Sequence, residues 1–411
     1  MRISTNMIYS LGVRGINEQL AATLKLQQQI SANRRMLSPS DDPVAAAQAL
    51  TVQQRQDINT QFSTNIDYAT SALAYEEVQL GAAVDIFGRL KELAIQAGDT
   101  TLTPSQRSGI AVELRAHFDS LLGIANTKDE TGQHMFAGYK GDTPPFAGSV
   151  DGGVTYLGDD GQRQMQISPS RIIETSDPGS AVFERITTGN GVFSTTYAAG
   201  NTGTGVIGGG AVSDPSAWVA PSGGSYTLTF TGGGTTYELY DGATLLSSGT
   251  YTSGDAIPLQ DATGLPVVSF GANVTVTGTP ADGDSFSITP STSQSLFTTL
   301  SNLIHAVEST GTSDADVAEY RTDIRVAMGE LNNAFDNVLR VRNAVGSRLT
   351  EIETVGSINS DLNLQYATTL SNLQDLDMAK ALTDLTLRQT NLEAAQKSFV
   401  AVSQLSLFNY L

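Results

Sequence analysis

Cysteine is absent from all 411 residues. Disulfides and thiolate-bound metals are therefore excluded, and the fold must be held by packing alone. Histidine occurs only three times. His117, His134 and His305 are not at ligand spacing to one another, so a packed or surface role is expected for each. Basic side chains are also scarce: 23 Lys and Arg face 42 Asp and Glu, a formal net charge of −19 at pH 7. With no Lys/Arg cluster to offset that charge, neither nucleic acid nor an anionic membrane is an expected partner. No uninterrupted apolar run approaches the ~18 residues of a membrane span. The opening stretch "MRISTNMIYSLGVRGINEQL" lacks the apolar core and small-residue cleavage site of a Sec signal peptide. The expectation is a chain that stays inside or leaves by another route. No nucleophile, base and orienting group stand out together, so no catalytic site or cofactor is expected.

What is present is a composition that changes twice. Residues 1–140 are rich in Ala, Gln, Leu and Ile, 141–292 in Gly, Thr and Ser, and 293–411 return to the first character. This is the pattern of an α+β multidomain protein: a long, coiled-coil-like helical rod from the two terminal segments, opened by an inserted Gly/Thr-rich β domain. The first helix has a half-polar seam through Val13, Ile16, Leu20, Thr23, Gln27, Ile30, Arg34 and Leu37. Ser40, Asp41, Asp42 and Pro43 then form a helix-start signal. Asp42 is placed to accept the free amide hydrogens of the first turn, and Pro43 stands where its missing N–H costs nothing. The adjacent carboxylates of Asp41 and Asp42 could also be read as a catalytic pair, but the four residues together favour capping.

A helix running from Pro43 to Gly98 would be about 80 Å long. Ile66, Leu73, Leu80 and Phe87 recur in it every seven residues, and Glu76 interrupts a second row of Ala69, Ala83 and Leu90. "TPSQ" at 103–106 restarts a helix with capping-box spacing. Beyond the insert, Val317, Ile324, Leu331, Val338, Val345 and Ile352 repeat with the same period, and Met328, Phe335 and Leu349 are expected to fill their other row. The two heptad helices can satisfy each other as partners. A terminal helix carries Leu392, Phe399, Val402 and Leu405 on one face, followed by Phe408 and Tyr410. No side chain is charged from Ser398 to Leu411. This apolar end is expected to be an interface, buried against the first helix and adjoining copies.

The insert reads as β-structure. "SYTLTFTGGGTTYELY" is two alternating strands around a Gly-rich turn, and Arg163, Arg171 and Arg185 are the only cations from Gly141 to Pro290. The expectation is a solvent-facing acidic domain, dispensable between residues 148 and 288. Gly203, Gly205 and Gly208 match GxGxxG, but Pro215 follows where a dinucleotide site needs a helix, which favours a loop. Asp282 and Asp284 read as a turn, and the "NVT" at Asn273 carries little weight.

Four stretches resemble the flagellar hook-associated protein 3 family, the hook–filament junction proteins homologous to bacterial flagellin. They are "MRISTNMIY" at the start, "PSDDPVAAAQAL" at 39–50, "GQHMFAGYKGDTPPF" at 132–146 and "LDMAKALTDLTLRQTNLEAAQKSFVAVSQLSLFNYL" at the end. The resemblance implies three domains. Residues 1–42 with 367–411 would line an inner tube, 43–140 with 293–366 would form a helical bundle, and 141–292 would face outward. It also implies a non-enzymatic role. The chain would self-assemble into a ring at the hook tip, with the other junction protein on the hook side and flagellin on the filament side. Export would follow the flagellar type III route, read from the N-terminal region, after a chaperone had held the C-terminal helix. The alternatives are a flagellin or a secreted adhesin with a helical stalk.

Overall fold

The computed structural model describes residues 5–309, 311 and 313–404. Six α-helices are present among them: α1 (Thr5–Ala32), α2 (Pro43–Ala97), α3 (Pro104–Ala125), α4 (Leu296–Glu308), α5 (Asp314–Gln374) and α6 (Met378–Gln404). The chain divides into two compact units. One comprises Met1–Ile66, Ile167–Pro169 and Glu353–Leu411; the other comprises Asp67–Gln166 and Ser170–Ile352. The division falls inside α2 and α5, at 66/67 and 352/353.

In the first unit α1 and α6 lie antiparallel. Tyr9 and Phe399 meet at one end with ring centroids 5.1 Å apart, and the backbones of Arg34 and Asp375 pair in a short antiparallel bridge at the other. Asn33 takes a positive φ of 51° as α1 ends, a conformation Asn tolerates at a helix terminus. The start of α2 packs on the end of α5, where Asn59 donates to the carbonyl of Asn359 at 2.7 Å. Asn359 donates in turn to Ile167 at 3.2 Å.

In the second unit the rest of α2 and α5 also runs antiparallel. Tyr320 donates to the carbonyl of Ala97, and Arg342 pairs with Glu77 at 2.7 Å. α3 begins with the expected capping box: Thr103 accepts from the Gln106 amide, and the Gln106 side chain accepts from that of Thr103. Phe118 of α3 meets Phe297 of α4 edge-on at 5.5 Å. Asn126, just past α3, donates to Phe146 and accepts from it, both at 2.9 Å. That clamp delivers Phe146 to a cluster of rings, 5.3 Å from Phe297 and 5.6 Å from Phe183.

The insert is therefore built in two ways. Residues 141–189 pack into the helical bundle. They form short ribbons such as Phe146–Ser149 with Gly153–Tyr156, and Gln164–Ser168 with Arg171–Glu174. Their cations are all paired: Arg163 with Asp129, Arg171 with Glu351 and Arg185 with Asp160. Beyond Thr188 comes a β-sandwich. Its larger sheet runs in the order Thr244–Thr250, Thr236–Asp241, Tyr226–Thr231, Ser285–Pro290, Phe193–Tyr197. The smaller runs Ala256–Asp261, Val268–Thr277, Val206–Ile207. Alternating residues of both sheets, among them Leu228, Phe230, Leu239, Leu259, Val274 and Phe286, share one core, as facing sheets do. The hairpin at 231–236 needs its glycines: Gly234 has φ 79°, and a Cβ there would stand 1.9 Å from the Pro280 carbonyl. The chain leaves the sandwich beside its entry, where Thr188 donates its amide to Thr292 at 2.9 Å.

Candidate assembly surface

The segment linking α1 to α2 is fixed by the two carboxylates singled out in the sequence. Asp41 accepts from Lys25 at 2.6 Å and from the amides of Leu37 and Ser38 at 3.0 and 3.2 Å. Those donors, Lys25 first, hold its pKa below the usual carboxylate range. Asp42 accepts from the amide of Ala45 at 3.0 Å, and α2 starts at Pro43. The Ser40 hydroxyl meets that of Ser38 at 2.7 Å. Arg35 ties the segment to the end of α5, donating its amide to Gln374 at 2.8 Å and its guanidinium to Leu373 at 2.9 Å.

The terminal pair covers little of its own apolar surface. Among the described residues of α1 and α6 only Thr23 and Ala381 are buried. The half-covered stripe on α1 passes through Gly12, Val13, Ile16, Gln19, Leu26 and Ile30. It shares Val13, Ile16, Thr23 and Ile30 with the expected seam, but takes Leu26 in place of Gln27, which points outward. Gly12 permits the close approach, since a Cβ there would be 2.6 Å from the Phe399 ring. On α6, Leu392 and Phe399 are half-buried. Val402 belongs to the helix, but its side chain, with Leu405, Phe408 and Tyr410, lies outside the described residues. Leu20, Leu24, Leu382 and Leu387 remain 44, 50, 50 and 58% exposed.

The heptad positions sit differently. Ile66, Leu73, Leu80, Phe87, Ile324, Leu331, Val338, Val345 and Ile352 are buried, and Val317 is half-buried. The companion row on α5 is Ala327 and Ala334, not Met328 and Phe335. Small residues there face the core, while Phe335 lies at its margin against Phe87 and under the ammonium of Lys91, 3.7 Å from the ring. Glu76 does not break the buried row but belongs to it. Its carboxylate accepts from the amide of Asp177 at 3.3 Å, and its other oxygen is buried with no partner. Arg348 grips Asp177 with two bonds of 2.8 and 3.0 Å. Burial pushes the pKa of Glu76 well up, and the Asp177 charge adds to the effect. No local signal in the sequence reveals this cluster, because Asp177 comes 101 residues later.

The other candidates do structural work. Asp284 accepts from the amides of Thr202, Gly203 and Ala281, closing the glycine-rich loop. His134 bonds the carbonyl of Asn126 at 2.7 Å, and His305 lies 3.2 Å from Asp151. Among the described residues no group of three His, Cys, Asp or Glu could hold a metal ion, and no helix is long and apolar enough to cross a membrane. What the geometry offers is exposed apolar helix surface on α1 and α6.

A family model of the bacterial flagellin N-terminal helical region matches residues 3–141. Flagellar hook-associated protein 3 of Escherichia coli (strain K12) is 26% identical over 409 residues, 99% of each chain. The solved structure of the flagellar junction protein FlgL from Legionella pneumophila is 32% identical, with a TM-score of 0.70 over 80% of this chain and 100% of that one. FlgL from Xanthomonas campestris is 31% identical, with a TM-score of 0.70 over 78% of this chain and 99% of its own.

Proposed function

The chain belongs to the flagellar hook-associated protein 3 family, and we propose that it assembles through its terminal helices into a ring at the hook tip. It is a structural component of the bacterial flagellum, at the hook–filament junction.

The observation that carries the assembly reading is the apolar surface of α1 and α6. Leu11 and Leu20, both exposed, are nine residues apart, about half a turn out of phase at 3.6 residues per turn. A helix apolar on opposite sides is one that neighbours cover. Burying a leucine is worth about 1.5–3 kcal/mol, so Leu20, Leu24, Leu382 and Leu387 together supply a large association term per subunit. In this reading residues 1–42 with 367–411, including Leu392, Phe399, Val402, Leu405, Phe408 and Tyr410, make the contacts between subunits. Residues 43–140 with 293–366 form the supporting bundle, and 141–292 form the insert. The ring's neighbours are the other junction protein and flagellin. Before assembly the exposed apolar helix needs a cover, the role of an export chaperone, and passage outward uses the flagellar type III route.

The test is a strain lacking this chain, complemented by Leu20→Asp with Leu382→Asp. Both side chains are half exposed, so the variant is expected to fold and be secreted. Hooks should remain intact, with flagellin shed into the medium and motility lost. Normal filament attachment in that strain would defeat the reading.

A further inference from the structure

A cleft of about 510 Å³ opens where the β-sandwich joins the helical bundle, inside the second unit. One wall is a single face of α5, because Asp323, Val326, Ala327 and Glu330 follow the spacing that brings side chains to one side of a helix. The other walls include Ser194 and Thr196 of the sandwich and Asn302 of α4. The two acids stand at the ends of the α5 face, about 10 Å apart along the helix axis, with Val326 and Ala327 between them.

Each carboxylate bonds to the protein through one oxygen. Asp323 accepts from the Tyr197 hydroxyl at 3.0 Å through Oδ2. Glu330 accepts from the Gln294 amide at 2.8 Å and the Thr299 hydroxyl at 3.3 Å, both through Oε2. Oδ1 of Asp323 and Oε1 of Glu330 accept from no described residue. Glu330 is only 7% exposed, and no Lys or Arg is among the described residues that line the cleft. Burial raises the pKa of both acids, opposed only by those neutral donors. Buried acid charge without a counterion is costly, and a bound cation relieves that cost.

We propose that this cleft binds a linear organic dication, an alkyl diamine or polyamine whose ammonium groups stand about 10 Å apart. One ammonium meets Oδ1 of Asp323 and the other Oε1 of Glu330. Each pairing is a charge-assisted hydrogen bond, roughly twice as strong as a neutral one. The methylene chain between them lies along Val326 and Ala327, where it is taken out of water. Ser194, Thr196 and Asn302 supply oxygen acceptors for the remaining ammonium hydrogens. An anion finds no Lys or Arg in the lining, and a metal ion finds no group of three ligating side chains among the described residues. The cleft shares no residue with the terminal helices, so it is independent of the assembly reading.

Isothermal titration of the full-length chain with octamethylenediamine tests the proposal. A single site per chain should saturate, and Asp323→Asn or Glu330→Gln should each weaken binding at least about tenfold. Asp255→Asn, at an exposed position outside the cleft, should bind as the parent does. Octylamine, with one ammonium, should bind at least about tenfold more weakly than the diamine, and octanediol, with none, should give no saturable heat. Equal binding of the diol would mean a site for neutral polyols, and equal binding of octylamine a site for a single charge; either overturns the dication. Uptake that does not saturate, or that falls as much in Asp255→Asn, is counterion attraction to an acidic chain and overturns it as well. A second measurement leaves both carboxylates in place. The chain has no cysteine, so Asn302→Cys puts a single thiol in the cleft and Tyr139→Cys puts one on exposed surface elsewhere. Saturating octamethylenediamine should slow iodoacetamide alkylation of the first variant severalfold relative to the second. Equal effects on the two would place the ligand outside the cleft and overturn the proposal, even if the carboxylate variants fail to fold.

Discussion

Glu76 is the residue whose chemistry is least like that of its neighbours in the heptad row. It faces Asp177 from the 170–177 segment, with Arg348 of α5 and Arg163 also acting on it. Arg348 is already gripped by Asp177 and also lies 3.3 Å from Glu174, so it compensates Glu76 only in part. The native pKa of Glu76 is raised, which means the folded state holds its proton more tightly than the unfolded chain. Its ionisation therefore costs stability above the folded pKa, and that cost is relieved as pH falls toward the unfolded value. Thermal stability measured from pH 8 down to pH 5 should rise more in the parent than in Glu76→Gln, which cannot ionise. Parallel curves for the two proteins would show that the carboxyl titrates alike in the folded and unfolded states, and the reading of a buried group with a raised pKa would fail. Asp42 presents the contrary case. Its role is readable from four consecutive residues because capping is local chemistry, and Asp42→Ala should cost about 1 kcal/mol at the start of α2. Glu76 looks in the sequence like a flaw in an apolar row, since what it bonds comes from a distant segment.

At the scale of elements, the insert has to be cut where the structure closes on itself. Thr188 and Thr292 are joined by their backbones, and the amide of Thr292 also donates to the Thr188 hydroxyl at 3.0 Å. Replacing residues 190–290 with a short Gly/Ser linker should therefore leave the helical bundle's cooperative melting transition in place. Replacing 148–288 should not. It removes Phe183, which is fully buried within 5.6 Å of Phe146 and 6.2 Å of Phe297, and it removes the Asp177 partner of Arg348. Phe183→Ala alone should cost about 3–5 kcal/mol. Calorimetry of the two truncations decides the matter, and equal melting of both would show that the 141–189 segment adds nothing to the bundle. The long helices were legible because a seven-residue repeat sustained over many turns has few other readings. The root of the insert was not, because its Gly- and Thr-rich composition continues into the sandwich while its ribbons are only four or five residues long. The companion row on α5 was misread by one position. Phe335 is the more apolar residue, but Ala334 is the one that lets helices approach.

For the whole molecule, the contrast is between a unit with a continuous core and one whose terminal helices lack it. Leu73, Leu80, Leu90, Leu331 and Val338 are fully buried in the second unit, whereas among the described residues of α1 and α6 only Thr23 and Ala381 are buried. An isolated helix pair with so little covered surface is marginal in water, because helix stability in proteins comes mainly from packing. The purified chain should therefore exchange amide hydrogens in α1 and α6 far faster than in the α2–α5 bundle, which opens only with global unfolding. Phe399→Asp sharpens the test. The ring contacts Tyr9 and fills the space left by Gly12, so a carboxylate there loses packing in the terminal pair and places a charge on the proposed contact surface. Exchange in α1 should quicken further and hook attachment should fail, while exchange in the bundle and its melting transition stay as in the parent. If α1 and α6 of the purified parent prove as protected as Leu80 and Leu331, their stability does not wait for neighbours. The exposed leucines would then be surface of an already stable pair, and not the unfinished half of an interface.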